Sequence, residues 1–281
     1  MDRSGAREPV APNRAGESAF GQLLRQWRGR RRMSQLDLAG EAGVSARHLS
    51  FVETGRSQPS REMVMLLTQA LDVPLRDRND LLTVAGYAPI YRETRLESPA
   101  LALARRALDF VLRQQEPYPA LLLDRHWNVL QVNEGSARVQ KAFLDPAAVA
   151  ELGPPNAMRL MFHPRAFRPY IANWEATAAS LIQWLHRDAL GGFADAQARG
   201  LLEELLSYPG VPRHWRTIDL EASTAPFLPI EFRKGGLTLR YFTMLTGLGT
   251  PYDITLQELR IECFFPADEA TEELSRRLAA G

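Results

Sequence analysis

Residues 34 to 55 read Ser34-Gln-Leu-Asp-Leu-Ala-Gly-Glu-Ala-Gly-Val-Ser-Ala-Arg-His-Leu-Ser-Phe-Val-Glu-Thr-Gly55. Ser34 can cap a short helix, Leu36, Leu38 and Ala39 give it an apolar face, and Gly43 supplies the positive φ that ends it. Val44 plugs the corner, Ser45 caps a second helix, and Leu49 and Val52 stand three apart on one of its faces. Two short helices crossing at a glycine-containing turn form a helix-turn-helix. Ala46, Arg47, Ser50 and Phe51 are left on the opposite face of the second helix, where a base-reading surface would lie. In the major groove, Arg47 could bond guanine, and Phe51 or Ala46 could touch a thymine methyl.

Working outward, Ser18 to Arg32 reads as a helix with Phe20, Leu23, Leu24 and Trp27 at helical spacing, a face on which the motif helices would pack. After the loop Arg56-Ser-Gln-Pro59 a helix starts at Ser60, with Met63, Leu66, Leu67, Ala70 and Leu71 as its stripe. Leu75 to Ala85 gives a fifth, so residues 18–86 form an all-α five-helix domain preceded by a disordered tail over 1–17. Between Phe20 and Arg61 lie eight arginines (Arg25, Arg28, Arg30, Arg31, Arg32, Arg47, Arg56 and Arg61) against Asp37, Glu41 and Glu53. That local excess of five sits in a chain of net charge +1, so the remainder is mildly acidic. A basic patch of this kind favours a polyanion, here double-stranded DNA, as local partner.

Residues 87–98 have few apolar positions and read as a linker. Ser98-Pro99 caps a helix running to about Gln115, with Leu101, Leu108, Val111 and Leu112 as its stripe. The period then changes. Pro119 to Asp124 and Asn128 to Asn133 read as a strand pair turning at Arg125-His-Trp127. Glu134 to Leu144, Tyr170 to Asp188 and Ala194 to Ser207 read as helices. Trp215 to Leu220, Leu228 to Phe232, Leu237 to Leu245 and Thr255 to Phe265 read as strands, and Asp268 to Leu278 closes the chain as a helix. Residues 99–281 are therefore an α+β domain with an antiparallel sheet.

The motif elements Ser34-Gln35, Leu38-Ala39, Ala42-Gly43-Val44-Ser45 and Glu53-Thr54-Gly55 together resemble the Xre/lambda-repressor type of helix-turn-helix. The continuation through Arg56, then Pro59 to Met63 and Ala85-Gly-Tyr-Ala-Pro89, is similar to the MmyB-like branch of bacterial regulators. That resemblance implies a PAS-like ligand-binding domain over 99–281, in a sequence-specific transcription regulator. Gln35 resembles the family's backbone-contacting glutamine, and Arg28, Arg56 and Arg61 are phosphate candidates by position. The resemblance also implies an apolar cavity that takes a small apolar or amphipathic ligand, a fatty acid being the implied class. A buried carboxylate needs a cationic or amide anchor. Arg159 with Asn156 is the candidate pair, with Phe162, Tyr170 and Trp174 as apolar lining.

Bulk properties bound the alternatives. With 45% hydrophobic and 24% charged residues the composition is that of a globular protein. No long apolar span or signal-peptide core is evident, so the expected location is the cytoplasm and no membrane partner is expected. The single cysteine, Cys263, excludes an intramolecular disulfide and a cysteine-rich zinc site, and reads as a small buried thiol. Five histidines (His48, His126, His163, His186 and His214) stand singly without metal-ligand spacing. His186-Arg187-Asp188 spells a kinase tripeptide without the accompanying motifs, and Gly247-Leu-Gly249 lacks the third glycine of a dinucleotide turn. No catalytic residues, metal or cofactor are therefore expected. A homodimer is, because one recognition helix reads only a few base pairs. An enzyme or cofactor-binding redox protein with an appended helical bundle is the competing reading.

Overall fold

The computed structural model describes residues 18–189, 195–212, 227 and 229–280. Contacts divide the chain into two units, with the boundary between Arg92 and Glu93.

In the first unit, α1 (Ala19–Arg30), α2 (Gln35–Glu41), α3 (Ala46–Glu53), α4 (Arg61–Ala70) and α5 (Leu75–Val84) follow the expected order. Local chemistry sets the boundaries. Ser18, Ser34, Ser45 and Ser60 each accept a backbone N–H of the following first turn, and Asp37 completes a capping box with Ser34. Gly43 and Gly55 have φ of 65° and 75°, the conformation needed after α2 and α3. Leu24, Leu38, Leu49, Val52, Val64 and Leu67 are fully buried and form the centre of the bundle. Two expected core positions face outward: Leu36 is 72% exposed and Leu66 is 47% exposed. Leu36 lies in the first turn of α2, where Leu38 and Ala39 already fill the inward face, and α4 buries Val64 and Thr68 instead of Leu66.

The expected linker is tied down at both ends. Asn79 accepts from the backbone N–H of Ile90 and Tyr91 at 3.0 and 3.1 Å and donates to the Tyr91 carbonyl at 2.8 Å. Tyr87 donates to the Pro59 carbonyl. Residues up to Arg92 thus belong to the helical unit, whereas Thr94 donates to the Asp253 carboxylate of the second unit.

The second unit opens with a 3-10 turn (Pro99–Leu101) and α6 (Ala102–Gln114), then the hairpin β1 (Ala120–Leu123) and β2 (Val129–Val132). Helices α7 (Glu134–Phe143), α8 (Pro146–Glu151), α9 (Ala157–Phe162), α10 (Trp174–Ala189) and α11 (Ala196–Ser207) follow, with a 3-10 turn at Arg168–Tyr170. Strands β3 (Ile230–Lys234) and β4 (Leu237–Thr246), the short α12 (Ile254–Glu258), β5 (Arg260–Pro266) and α13 (Glu269–Ala280) complete it. The expected strand Thr255 to Phe265 is therefore half helix, because Asp253 caps Thr255 and starts a turn before β5 begins. The expected strand Trp215 to Leu220 lies outside the described residues.

All pairings in the five-stranded sheet β2-β1-β5-β4-β3 are antiparallel. Strand alternation decides which side chains meet which layer. Ala120 and Leu122 of β1, with Ile261 and Cys263 of β5, pack against Leu108 and Leu112 of α6. Burial raises the Cys263 thiol pKa, as befits an inert core cysteine. The alternate residues Leu121, Glu262 and Phe264 turn to the other side, where α7, α9 and α10 pack.

Candidate functional site

The helical unit presents α3 as its reading surface. Leu49 and Val52 are fully buried, while Arg47 and His48 are exposed and Ala46, Ser50 and Phe51 are half-buried. The Arg47 guanidinium lies 5.5 Å from the Phe51 ring centroid, so the two side chains form one cation–π unit on the outer face. Arg56 and Arg61 are exposed, and neither has an ion-pair partner among the described residues.

Arg28 and Gln35 are placed differently. The Arg28 Nε and Nη2 donate to the two oxygens of Glu53 at 2.8 and 3.1 Å, and Nη1 donates to the Met33 carbonyl at 3.0 Å. Gln35 Nε2 donates to Glu53 Oε2 at 2.7 Å. The Glu53 side chain is 0% exposed. This carboxylate is thus the junction of α1, α2 and α3, and it raises the Arg28 pKa through its hydrogen bonds. Arg25 Nη2 donates to the Glu53 carbonyl, and a Cβ at Gly21 would stand 2.2 Å from that same oxygen. Sequence reading took Glu53 only as part of a motif. The signal that could have revealed its role was an acidic residue on the buried face of α3, which demands a cation nearby. Arg28 and Gln35 are the groups that meet that demand, so both side chains expected at phosphates are engaged with Glu53 inside the unit.

In the second unit an apolar cavity of about 70 Å³ lies between the inner sheet face and the helices. Leu121, Ile230, Phe232 and Phe264 line it from the sheet, Met158, Leu160 and Met161 from α9, and Leu181 from α10. A second cavity of about 430 Å³ shares Leu181 and Ile230 with it and is lined by Thr177, Thr243 and Trp184 among others. Trp127 closes the hairpin end at φ 67°, a left-handed conformation held by Asp124, which accepts from the backbone N–H of His126 and Asn128.

None of the five expected ligand residues lines the smaller cavity. Asn156 is 3% exposed, caps α9 and donates to the His126 carbonyl and to Asn128. Arg159 Nε and Nη2 both bond the Glu204 carboxylate at 2.9 Å, tying α9 to α11, and Tyr208 donates to the same carboxylate. Beside Arg159 the Glu204 carboxyl stays below its ordinary range, and burial with Glu204 pushes Tyr208 up to about 12. Phe162 and Trp174 stack edge-to-face at 5.2 Å, Trp174 Nε1 donates to the Gly210 carbonyl, and Tyr170 carries Lys234 over its ring. The expected anchor pair stands apart from this cavity for a geometric reason. The face of α9 that carries Ala157, Met158, Leu160 and Met161 meets the cavity, and Arg159 projects from the opposite face toward α11.

The polar residue that sequence reading missed is Glu262, which lines the cavity and is 7% exposed. Burial pushes its carboxyl up to about 7, and a hydrogen bond with Thr243 offsets part of that rise. Its alternation out of phase with Ile261 and Cys263 was the available signal: an acidic residue within an apolar strand run. Among the described residues no cluster of three or more His, Cys, Asp or Glu side chains could hold a metal ion, and no helix is long and apolar enough to cross a membrane.

Comparison with known proteins agrees with this division. Residues 19–81 match a helix-turn-helix domain family, and residues 104–278 match the MmyB-like transcription regulator ligand binding domain. A protein of Methanoculleus marisnigri that carries the name of an HTH-type transcriptional regulatory protein is 35% identical over 129 residues, which cover 44% of this chain and 41% of that relative. Among solved structures, the clp gene regulator ClgR from Corynebacterium glutamicum is 28% identical, with 38% of this chain and 99% of that chain covered at a TM-score of 0.23. An RNA-binding light-oxygen-voltage receptor is 12% identical over 94% of this chain and 62% of that one, at a TM-score of 0.27. With the ligand-binding domain profile spanning more than half of its length behind a helix-turn-helix, the chain belongs to the MmyB-like transcription regulators.

Proposed function

We propose that this chain is a cytoplasmic, sequence-specific regulator that binds double-stranded DNA as a homodimer and responds to a small apolar ligand held in its second unit. The observation that carries the reading is α3, whose inner face is locked by Leu49, Val52 and Glu53 while Arg47, Ser50 and Phe51 remain on the outside. A rigid helix with an outward arginine and aromatic pair suits major-groove reading, and exposed Arg56 and Arg61 suit phosphate contacts. One such helix reads few base pairs, so a two-fold operator is the geometric solution for specificity. A ligand that shifts operator affinity tenfold requires about 1.4 kcal/mol of coupling, and DNA must then shift ligand affinity by the same factor.

A fatty acid is the finer form of this reading. The apolar lining supports the chain of such a ligand; its carboxylate would need a cation, and Arg159 is occupied by Glu204.

Selection of bound sequences from a random DNA pool tests the DNA reading. A palindromic motif is expected, and Arg47→Ala should cost about 1–3 kcal/mol on the best site while flattening one position of each half-site. A pool that yields no enriched sequence would remove the sequence-specific reading.

A further inference from the structure

The polar groups around the smaller cavity limit the head group it can accept. Ser136 donates its hydroxyl to the Ala120 carbonyl, and the Tyr241 hydroxyl pairs with Ser275 at 2.6 Å. The Gln140 carboxamide has no hydrogen-bond partner among the described residues, and Glu262 bonds only Thr243 there. No lysine, arginine or histidine lines the cavity among the described residues. Arg260, which precedes Glu262 by two positions and shares its side of β5, is held by both oxygens of Asp188 at 2.6 and 2.9 Å. Three groups therefore remain to meet a ligand: a carboxamide that both donates and accepts, a buried carboxyl, and the indole N–H of Trp127, which is buried without a hydrogen-bond partner among the described residues.

We propose that this cavity selects uncharged amphiphiles, short apolar molecules ending in a hydroxyl or carbonyl oxygen, with Glu262 as the head-group contact and Gln140 as its second partner. The inference rests on the reading of the cavity as the ligand site. An anionic head would stand beside a second carboxyl with no cation to share, so one of the two must take up a proton or both must repel in an apolar enclosure. A cationic head would exchange its hydration for one carboxylate among apolar walls, with the amide as its only other contact. An oxygen that is both donor and acceptor can meet Glu262 and Gln140 without burying a charge, and its second lone pair suits the Trp127 indole N–H. Burial raises the Glu262 pKa, which is consistent with a carboxyl that can donate to such an oxygen.

The test is titration calorimetry of the full-length protein at pH 6, below the raised Glu262 value, with 1-hexanol, hexane, hexanoate and hexylamine. The alcohol is expected to bind at least tenfold more tightly than either ion and more tightly than hexane. Glu262→Leu should bind hexane and lose the preference for hexanol, whereas Glu262→Gln, which keeps a hydrogen-bonding group and guards against a folding defect in the leucine variant, should keep it. Hexanoate or hexylamine binding as tightly as hexanol would overturn the proposal, as would an alcohol preference that survives Glu262→Leu. Hexane binding with no gain for hexanol would overturn the head-group assignment while leaving the cavity as the ligand site. Binding of none of the four would remove the cavity as the ligand site and the proposal with it.

Discussion

Among the described residues each unit of this molecule buries one glutamate, and the two stand in opposite surroundings. Glu53 meets the bidentate guanidinium of Arg28 and the amide of Gln35. Glu262 faces a largely apolar cavity with Thr243 as its hydrogen-bond partner. A buried charge whose hydrogen-bonding capacity is met within the protein is a fastener, because every oxygen has a fixed partner and none is left for a ligand. A buried carboxyl without a cation is costly to keep ionised, and a protein that retains one has an unmet group available for binding. The contrast gives the helix-turn-helix unit an internally satisfied fastener and the ligand-binding unit a buried carboxyl at its cavity.

The largest expected effect comes from breaking the satisfied glutamate. Glu53→Ala leaves the Arg28 side chain, 19% exposed, without its partner and opens the junction of α1, α2 and α3. Loss of one member of a buried ion pair costs about 3–5 kcal/mol. Thermal unfolding followed by circular dichroism should show early melting of the helical unit, and operator binding should fall because α3 loses its support. Retention of wild-type melting would mean that the Glu53 network contributes little, and that the packing of Leu24, Leu49 and Val52 alone fixes α3.

The unsatisfied glutamate is expected to act through pH. Its ordinary value is 4.5 and its folded value is about 7, so the folded unit binds more protons than the unfolded chain between those two values. Stability is therefore fully present below about pH 4.5, declines as pH rises toward 7 and levels off above it, with a total change on the order of 3 kcal/mol. Tyr241 is the other titratable residue lining this cavity among the described residues; its pKa is also raised, so it stays neutral throughout the window. Denaturant unfolding of the second unit at pH 5 and pH 8 should show this decline in the wild type and a flatter response in Glu262→Gln. Equal slopes would place the proton uptake elsewhere.

The same contrast explains what could be read from residues alone. The helix-turn-helix was legible because its information is local: serine caps, a positive-φ glycine and apolar spacing within 22 residues fix α2, the turn and α3. The roles of Arg28 and Gln35 were not, since both are decided by Glu53, which lies 25 and 18 positions away and reaches them only once the three helices pack. In the second unit the strands β1, β2 and β4 and the helix α10 were legible from their period. The pairing of Arg159 with Glu204 was not legible because a single arginine among apolar residues carries no label for the side on which its partner sits, and Glu204 is 45 positions away. Glu262 was hidden by its neighbours: Ile261, Cys263, Phe264 and Phe265 mark a buried strand, and only the pairing with Leu121 and Leu245 shows which face meets the cavity.

The smallest expected effect separates the two kinds of arginine in the helical unit. Arg28 is bonded on three of its nitrogens within the protein, whereas Arg61, at the first position of α4, is exposed and has no ion-pair partner among the described residues. If Arg61 contacts a phosphate, its replacement by alanine removes one released counterion, so the slope of log affinity against log salt should become shallower by about 1 and every DNA sequence should weaken alike. Melting of the unit should be unchanged, because an exposed side chain without partners contributes little to folding. Arg28→Ala should do the reverse, lowering the melting temperature while leaving the salt slope of the remaining folded protein as it was. Salt titrations of both variants on one operator and on a scrambled duplex decide between these assignments. A shallower slope for Arg28→Ala, with Arg61→Ala indistinguishable from wild type, would return Arg28 to the DNA-facing set and show that the Glu53 pairing opens when DNA is bound.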